Sequence, residues 1–476
     1  MTRFSLIFIL VSSLILANGK PTLIDKQIME LSLNYDFDKA DKLLEETYTT
    51  DKSLKYHYLY LNVELVKSIQ AAENIPFEKR QAVKDSVNQI LVNYSEKVIE
   101  EYEDKELNID DQFYLGSIYG LLGRAYGVQR SWMSAFSNGK EGKNILEDVI
   151  EKDPNYVDAF LLLGMMNYYS DRMGGVTEFL AGILGLSGDR KIGLNYLEKV
   201  EKNGTLNNWQ ATMILIELYS RLENNKFASL PLLEKMVKKF PNNTQFVNWY
   251  CYDLINLHKL NEVQKIIENP IYNINDFIKA TFLNAKGEYV KSNELFNKII
   301  NEKNFAYPGL SENAKYMIAL NYFMLGNYEK VKNNKNELRE NYLERIDELL
   351  DEPELNKQLI QFKNNVQFDN YNEIQKFSKS LPDFHKLKSA EGDYYFYLAV
   401  SYFKQNKYLD AAENFIKAQE ISFDDFGFSS SRYLIQIYKL QKVDKIKVEK
   451  LLDDIDELDN ESLEYSAKDL EEMYDL

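Results

Sequence analysis

One cysteine, three histidines and nine prolines in 476 residues leave several chemistries without material. A single thiol, Cys251, excludes an internal disulfide and any multi-cysteine zinc or iron–sulfur site. His57, His258 and His385 stand far apart in the chain, so a histidine-rich metal site would require the fold to collect them. No His-Glu-x-x-His, Gly-x-Ser-x-Gly or Cys–His signature is present. Basic charge is in deficit: 57 Lys and Arg face 74 Asp and Glu, a net charge of −17. That balance argues against a nucleic-acid binder, whose affinity rests on neutralising phosphates. Alternation of polar and apolar residues, the mark of half-buried strands, is scarce. The expectation is a protein with no metal, no cofactor, no nucleic-acid partner and no turnover of its own. A hydrolase built on a carboxylate pair is one alternative, but with 74 acids such pairs arise by chance everywhere.

Residues 1–19 read as an address. Arg3 is the only early charge, and Phe4 to Ala17 is an unbroken run of apolar residues and Ser. Ala17 and Gly19 place small residues at −3 and −1 of a cut after Gly19, as in a secretory signal peptide. The run is short for a transmembrane helix, which needs about 20 apolar residues. Cys251 is remote from the cut, which excludes lipoprotein anchoring. No later segment offers an uninterrupted apolar run long enough to span a bilayer. The expected location is periplasmic or extracellular, with no integral membrane segment after cleavage. The absence of disulfides fits a bacterial envelope better than a small secreted eukaryotic domain.

The remaining chain has the periodicity of helices. Leu54, Tyr58, Leu61, Leu65 and Ile69 recur at three and four. A local pattern also repeats: a turn residue, an aromatic or aliphatic residue two later, and a small or aliphatic residue three after that. It occurs as Tyr35-Phe37-Ala40, Asn225-Phe227-Leu230, Asn261-Val263-Ile266 and Gly287-Tyr289-Ser292. It continues as Gly326-Tyr328-Val331, Asp369-Tyr371-Ile374 and Asn406-Tyr408-Ala411. The spacing is near that of a two-helix repeat. The turn residue breaks one helix, the ring fills the notch, and the small residue lets the second helix close on the first.

Residues 392–425 resemble a tetratricopeptide repeat. Tyr395, Leu398, Ala399 and Tyr402 stand on its first helix, and Tyr408, Ala411, Phe415 and Ala418 on its second. Phe423 stands where that family usually has Pro. Residues 312–338 resemble a weaker copy, and Asp153-Pro154-Asn155 and Pro241-Asn242-Asn243 resemble its repeat ends. The resemblance implies an all-α, right-handed α-solenoid of irregular helix pairs that holds a protein or peptide partner. The expected divisions are a leader over 1–19, an N-terminal helical region over 20–205, a solenoid over 206–450 and an acidic cap or tail over 451–476. A glycan-binding or other solute-binding protein with the same fold is the alternative that the many aromatics raise.

Several residues stand out as binding candidates. Asp393, Tyr397 and Lys404 lie off the core positions of the first helix of the clearest repeat, as groove-lining residues would. Six glycines crowd residues 174–193, where a Gly-rich helical insert is expected near 173–190. This stretch is similar to a signature of exported bacterial tetratricopeptide proteins. Asp171-Arg172 and Asp189-Arg190 bracket it, with Asp189 placed to cap a helix. Arg124, Arg130, Arg172 and Arg190 surround an aromatic region containing Trp132 and Tyr168, which suits recognition of a carboxylate or other anion. At the C-terminus, eleven acids and one Lys over residues 453–476 give 1 − 11 = −10, so the rest of the chain carries only −7.

Overall fold

The computed structural model describes residues 19–476 except 51, 74, 173–187, 304–307, 336, 383 and 385–387. The expected leader up to residue 18, most of the Gly-rich insert and His385 lie outside the described residues. Among the described residues there are 24 α-helices and no strand. They divide into two compact units, one reaching to Leu215 and one starting at Ile216.

Unit 1 contains α1 (Leu23–Leu33), α2 (Phe37–Thr47), α3 (Leu54–Ala71), α4 (Phe77–Tyr102), α5 (Ile109–Val128) and α6 (Trp132–Lys152). It continues with α7 (Phe160–Asp171), α8 (Arg190–Asn203) and the start of α9 (Asn208–Glu217). Unit 2 contains α10 (Lys226–Lys239), α11 (Thr244–Asn256), α12 (Leu260–Ile267), α13 (Asp276–Ala285), α14 (Tyr289–Glu302) and α15 (Pro308–Met324). After these come α16 (Tyr328–Lys335), α17 (Glu340–Asp351), α18 (Pro353–Gln367), α19 (Tyr371–Lys379) and α20 (Lys388–Lys404). The last four are α21 (Tyr408–Ile421), α22 (Phe423–Leu440), α23 (Lys445–Glu457) and α24 (Glu461–Tyr474).

One turn design closes most of the helix pairs. The turn residue takes a left-handed conformation at Tyr35, Arg130, His258, Gly287, Gly326, Asp369 and Asn406, with φ between 57° and 84°. In each case the next N–H reaches back five residues to a carbonyl near the end of the first helix. Examples are Asp36 to Leu31 at 2.9 Å, Lys259 to Leu254 at 2.8 Å and Lys407 to Tyr402 at 3.0 Å. This hydrogen bond satisfies a carbonyl that the helix end would otherwise leave open. The ring two residues later seals the notch: Phe37 stacks on Tyr35 at 5.6 Å, and the Tyr371 hydroxyl donates to Asp369 at 3.1 Å. The residue five after the turn is fully buried at Ala40, Val263, Ser292, Val331 and Ala411.

The turns correct the sequence register in two places. The left-handed residue is His258 rather than Asn261, and Asn224 rather than Asn225. Asn261 lies inside α12, and Asn225 caps α10 by accepting from the Ala228 N–H at 3.2 Å. Leu260, Val263 and Ile266 recur every three residues, so the pattern fits equally well one step later. Shifting the other copy by one residue makes Ser229, not Leu230, the buried close-approach residue.

Glycines set the tightest helix contacts of unit 1. A Cβ on Gly142 of α6 would come 2.7 Å from the Gly116 carbonyl of α5. A Cβ on Gly193 of α8 would come 2.6 Å from the Tyr168 nitrogen of α7. Backbones this close leave no room for a side chain. The C-terminal tail is folded: α23 and α24 pack on α22, where the Tyr474 hydroxyl lies 3.1 Å from the Tyr438 carbonyl and accepts from the Val443 N–H at 3.1 Å. Lys439 pairs with Asp469 at 3.4 Å, so part of the acidic end meets the basic stretch before it.

Candidate functional site

Within unit 2 the chain curls back so that its first helix pairs touch its later ones. The Phe227 ring of α10 lies 5.4 Å from Phe403 of α20 and 5.3 Å from Tyr433 of α22. Asn261 Nδ2 of α12 donates to the Phe368 carbonyl at 2.7 Å. Arg432 Nη2 of α22 donates to the Asn256 carbonyl at 3.3 Å. Lys404 Nζ, at the end of α20, donates to the carbonyls of His258 and Val366, each at 2.8 Å. It also pairs with Asp369 at 2.6 Å. Burial pulls the Lys404 ammonium below its usual range, while Asp369 opposes the shift.

Next to these contacts lies a row of polar side chains from several helices. The His258 ring meets the edge of Tyr397 of α20 at 5.5 Å and Phe396 at 6.0 Å. Lys363 Nζ of α18 lies 5.2 Å from the Tyr397 ring centre. Arg345 of α17 pairs with Asp393 of α20 and with Glu348 at 2.8 Å. Tyr316 of α15 stacks on Tyr342 at 4.7 Å. His258, Tyr316 and Lys363 are each half-buried. The row is partly reached by solvent and makes a half-buried polar seam, the crevice of unit 2.

The electrostatics of the row are uneven. The Arg345 guanidinium is held above its usual range, first by Asp393. The Lys363 ammonium is raised, first by the Tyr397 phenol, against the cost of burial. Burial holds the His258 imidazole well below its usual range, and Lys363, Arg432 and Lys404 push it the same way. Of the nearby acids, Asp253 is hydrogen-bonded, whereas Glu262 keeps a buried Oε2 without a hydrogen-bond partner among the described residues. Asp253 accepts from the hydroxyls of Ser220 at 2.8 Å and Ser229 at 2.5 Å, and Glu262 lies 3.9 Å from Lys259. Burial raises Asp253 and lowers Lys226 beside it.

The residues singled out in the sequence therefore fall in two places. Asp393, Tyr397 and Lys404 belong to the crevice of unit 2. The others stand in unit 1: Arg130 is the exposed left-handed residue between α5 and α6, and Arg124 is exposed on α5. Trp132 is 41% exposed and stacks on Phe136 at 6.5 Å. Tyr168 is fully buried, and Arg172 Nη1 donates to its hydroxyl at 3.3 Å. Arg190 is buried in the first turn of α8, which Asp189 caps by accepting from the Ile192 N–H at 2.9 Å. Sequence reasoning did not single out His258, Lys363, Arg345 or Arg432. His258-Leu260-Val263 repeats the spacing of the other turns, and that signal was available for the histidine. The other three become neighbours only through the curl of unit 2.

No known family profile matches the chain, and no curated protein matches it in sequence. Among solved structures it is similar to aspartyl phosphate phosphatase F from Bacillus subtilis, at 14% identity over 85% of this chain and 95% of that one, with a TM-score of 0.23. It is similar to the APC/C hetero-tetramer Cut9–Hcn1, at 12% identity over 93% and 94%, with a TM-score of 0.24. A human IFIT1 dimer with m7Gppp-AAAA matches at 14% identity over 94% of each chain, with a TM-score of 0.21. Overlays this loose carry no residue-by-residue weight. The class is defined by the helix pairs and their shared turn: the protein has a tetratricopeptide-like helical-repeat fold.

Proposed function

We propose that this protein is an exported scaffold without turnover, which holds a segment of a protein or peptide partner in the crevice of unit 2. The observation that carries the reading is the row from His258 through Tyr397 and Lys363 to the Arg345–Asp393 pair, which is polar and half-buried. Helical repeats bind through side chains on the helices that face the inside of the curl. Rings supply contact area there at low entropic cost, and paired charges supply specificity. Export rests on the composition of residues 1–19. No helix among the described residues is long and apolar enough to cross a membrane.

The test is co-purification of the tagged chain from its own host, separately from cytoplasmic and exported fractions. A stoichiometric partner is expected in the exported fraction, and Tyr397→Ala with Lys363→Glu is expected to lose it while keeping the helical circular dichroism. A partner retained by that variant would refute the crevice, and a chain confined to the cytoplasm would refute export.

A further inference from the structure

Helices α21 and α23 both pack on α22, and between them a cavity of about 180 Å³ opens to solvent. Cavities near this size, about 150 Å³, admit a benzene ring. The floor is apolar: Leu434, Tyr438 and Leu451 are buried. Ile416 and Phe423 form half-buried walls. The one amide on the wall, Gln419, is buried and already committed. Its Nε2 donates to Ser431 Oγ at 3.1 Å and to the Gly427 carbonyl at 3.4 Å. None of these residues belongs to the crevice row.

Four charged side chains also line the cavity, and they are not equivalent. Glu420, Lys447 and Lys450 are exposed at its mouth, whereas Asp454 is half-buried. The Asp454 carboxylate has no hydrogen bond and no ion pair among the described residues. Burial raises it above its usual range, and Lys450, one turn earlier on α23, only partly offsets this. A carboxylate drawn partly out of water without a partner costs free energy. An anion held by Lys447 and Lys450 would sit in open water at the mouth, where ion pairs contribute little, and would leave Asp454 facing a like charge. An ammonium reaching Asp454 resolves the mismatch. The rings of Phe423 and Tyr438 suit the same ligand, because aromatic rings attract cations and pack against other rings.

We propose that this cavity binds a small amphipathic amine, with an apolar body about one ring in size against Ile416, Phe423 and Leu434 and a primary ammonium paired with Asp454. The site goes beyond the scaffold reading and does not depend on it. Lys447 and Lys450 at the mouth oppose a second positive charge on the ligand, so the class is a monoamine rather than a polyamine.

The experiment is titration calorimetry on the full chain with phenethylamine and, separately, 3-phenylpropionate, at pH 7 and constant ionic strength. The two probes share a ring and a two-carbon linker and differ in the sign of the charge. Saturable heat is expected with phenethylamine, and binding at least tenfold weaker with 3-phenylpropionate. Asp454→Asn, which keeps the shape, and Ile416→Trp, which fills the cavity, are each expected to weaken the amine at least tenfold. Glu420→Gln, which removes a charge at the mouth, is expected to change it less than threefold. Circular dichroism and thermal unfolding check that the variants fold, and if Asp454→Asn does not, Ile416→Trp and the probe pair decide. No saturable heat with phenethylamine, or equal binding of 3-phenylpropionate, would overturn the site. So would unchanged amine binding by folded Asp454→Asn or Ile416→Trp. An equal loss in Glu420→Gln would mark diffuse attraction to an acidic surface and overturn it as well.

Discussion

Lys404 shows how single side chains hold the curl of unit 2. Its side chain is 8% exposed and joins the His258 turn to the end of α18 and the Asp369 turn. Lys404→Met would leave carbonyls and a carboxylate without their cation, so unit 2 is expected to lose about 3 kcal/mol. Urea unfolding of wild type and variant checks this. His258 adds a pH dependence with a definite sign. Its folded pKa lies well below 6.5, whereas the unfolded chain titrates near 6.5. As pH falls from 7.5 toward 5, the unfolded state takes up a proton that the folded state refuses. Stability is therefore lost below about pH 6.5, at up to about 1.4 kcal/mol per pH unit for this group. His57 is also lowered by burial and contributes in unit 1. Unfolding midpoints between pH 5 and 7.5 should show the slope, and His258→Asn should remove the share that belongs to unit 2.

At the scale of helices, the turn is the unit of design. Arg130 occupies a left-handed position where a side chain costs about 1 kcal/mol relative to Gly, so Arg130→Gly is expected to stabilise unit 1 by roughly that amount. Gly193→Val should do the reverse, because its Cβ would strike the backbone of α7, and overpacking costs about 1–3 kcal/mol. Denaturant midpoints measured on both variants test the pair of expectations together. These elements also show what could be read from the chain. Tyr35, Gly287, Gly326, Asp369 and Asn406 were legible as turns because a breaker, a ring and a small residue recur at fixed offsets. The turn at Arg130 obeys the same spacing through Trp132 and Ala135, but those residues read first as an aromatic, basic patch. His258 slipped by one step because Leu260, Val263 and Ile266 satisfy two registers at once. Asp393, Tyr397 and Lys404 were legible as residues off the core stripe. Their partners were not, since periodicity along one helix cannot report that α12, α18 and α22 converge.

At the scale of the whole chain, net charge is a poor guide to the binding surface. The total of −17 includes −10 from the last 24 residues, which fold as the helical pair α23 and α24. The crevice of unit 2 instead holds Lys404 on the His258 carbonyl, Lys363 over the Tyr397 ring and Arg432 on the Asn256 carbonyl. Charges in such a partly enclosed site are screened less by salt than those on open surface. The central claim is that this crevice, and not the outer helical surface, meets the partner. Site-specific photo-crosslinking in the producing host tests it most directly, with a photoreactive phenylalanine at Tyr397 and, as control, at Leu409, which is 65% exposed on the outside of α21. A discrete crosslinked species is predicted from position 397 and none from 409. Equal crosslinking from both positions, or crosslinking from 409 alone, would contradict the account.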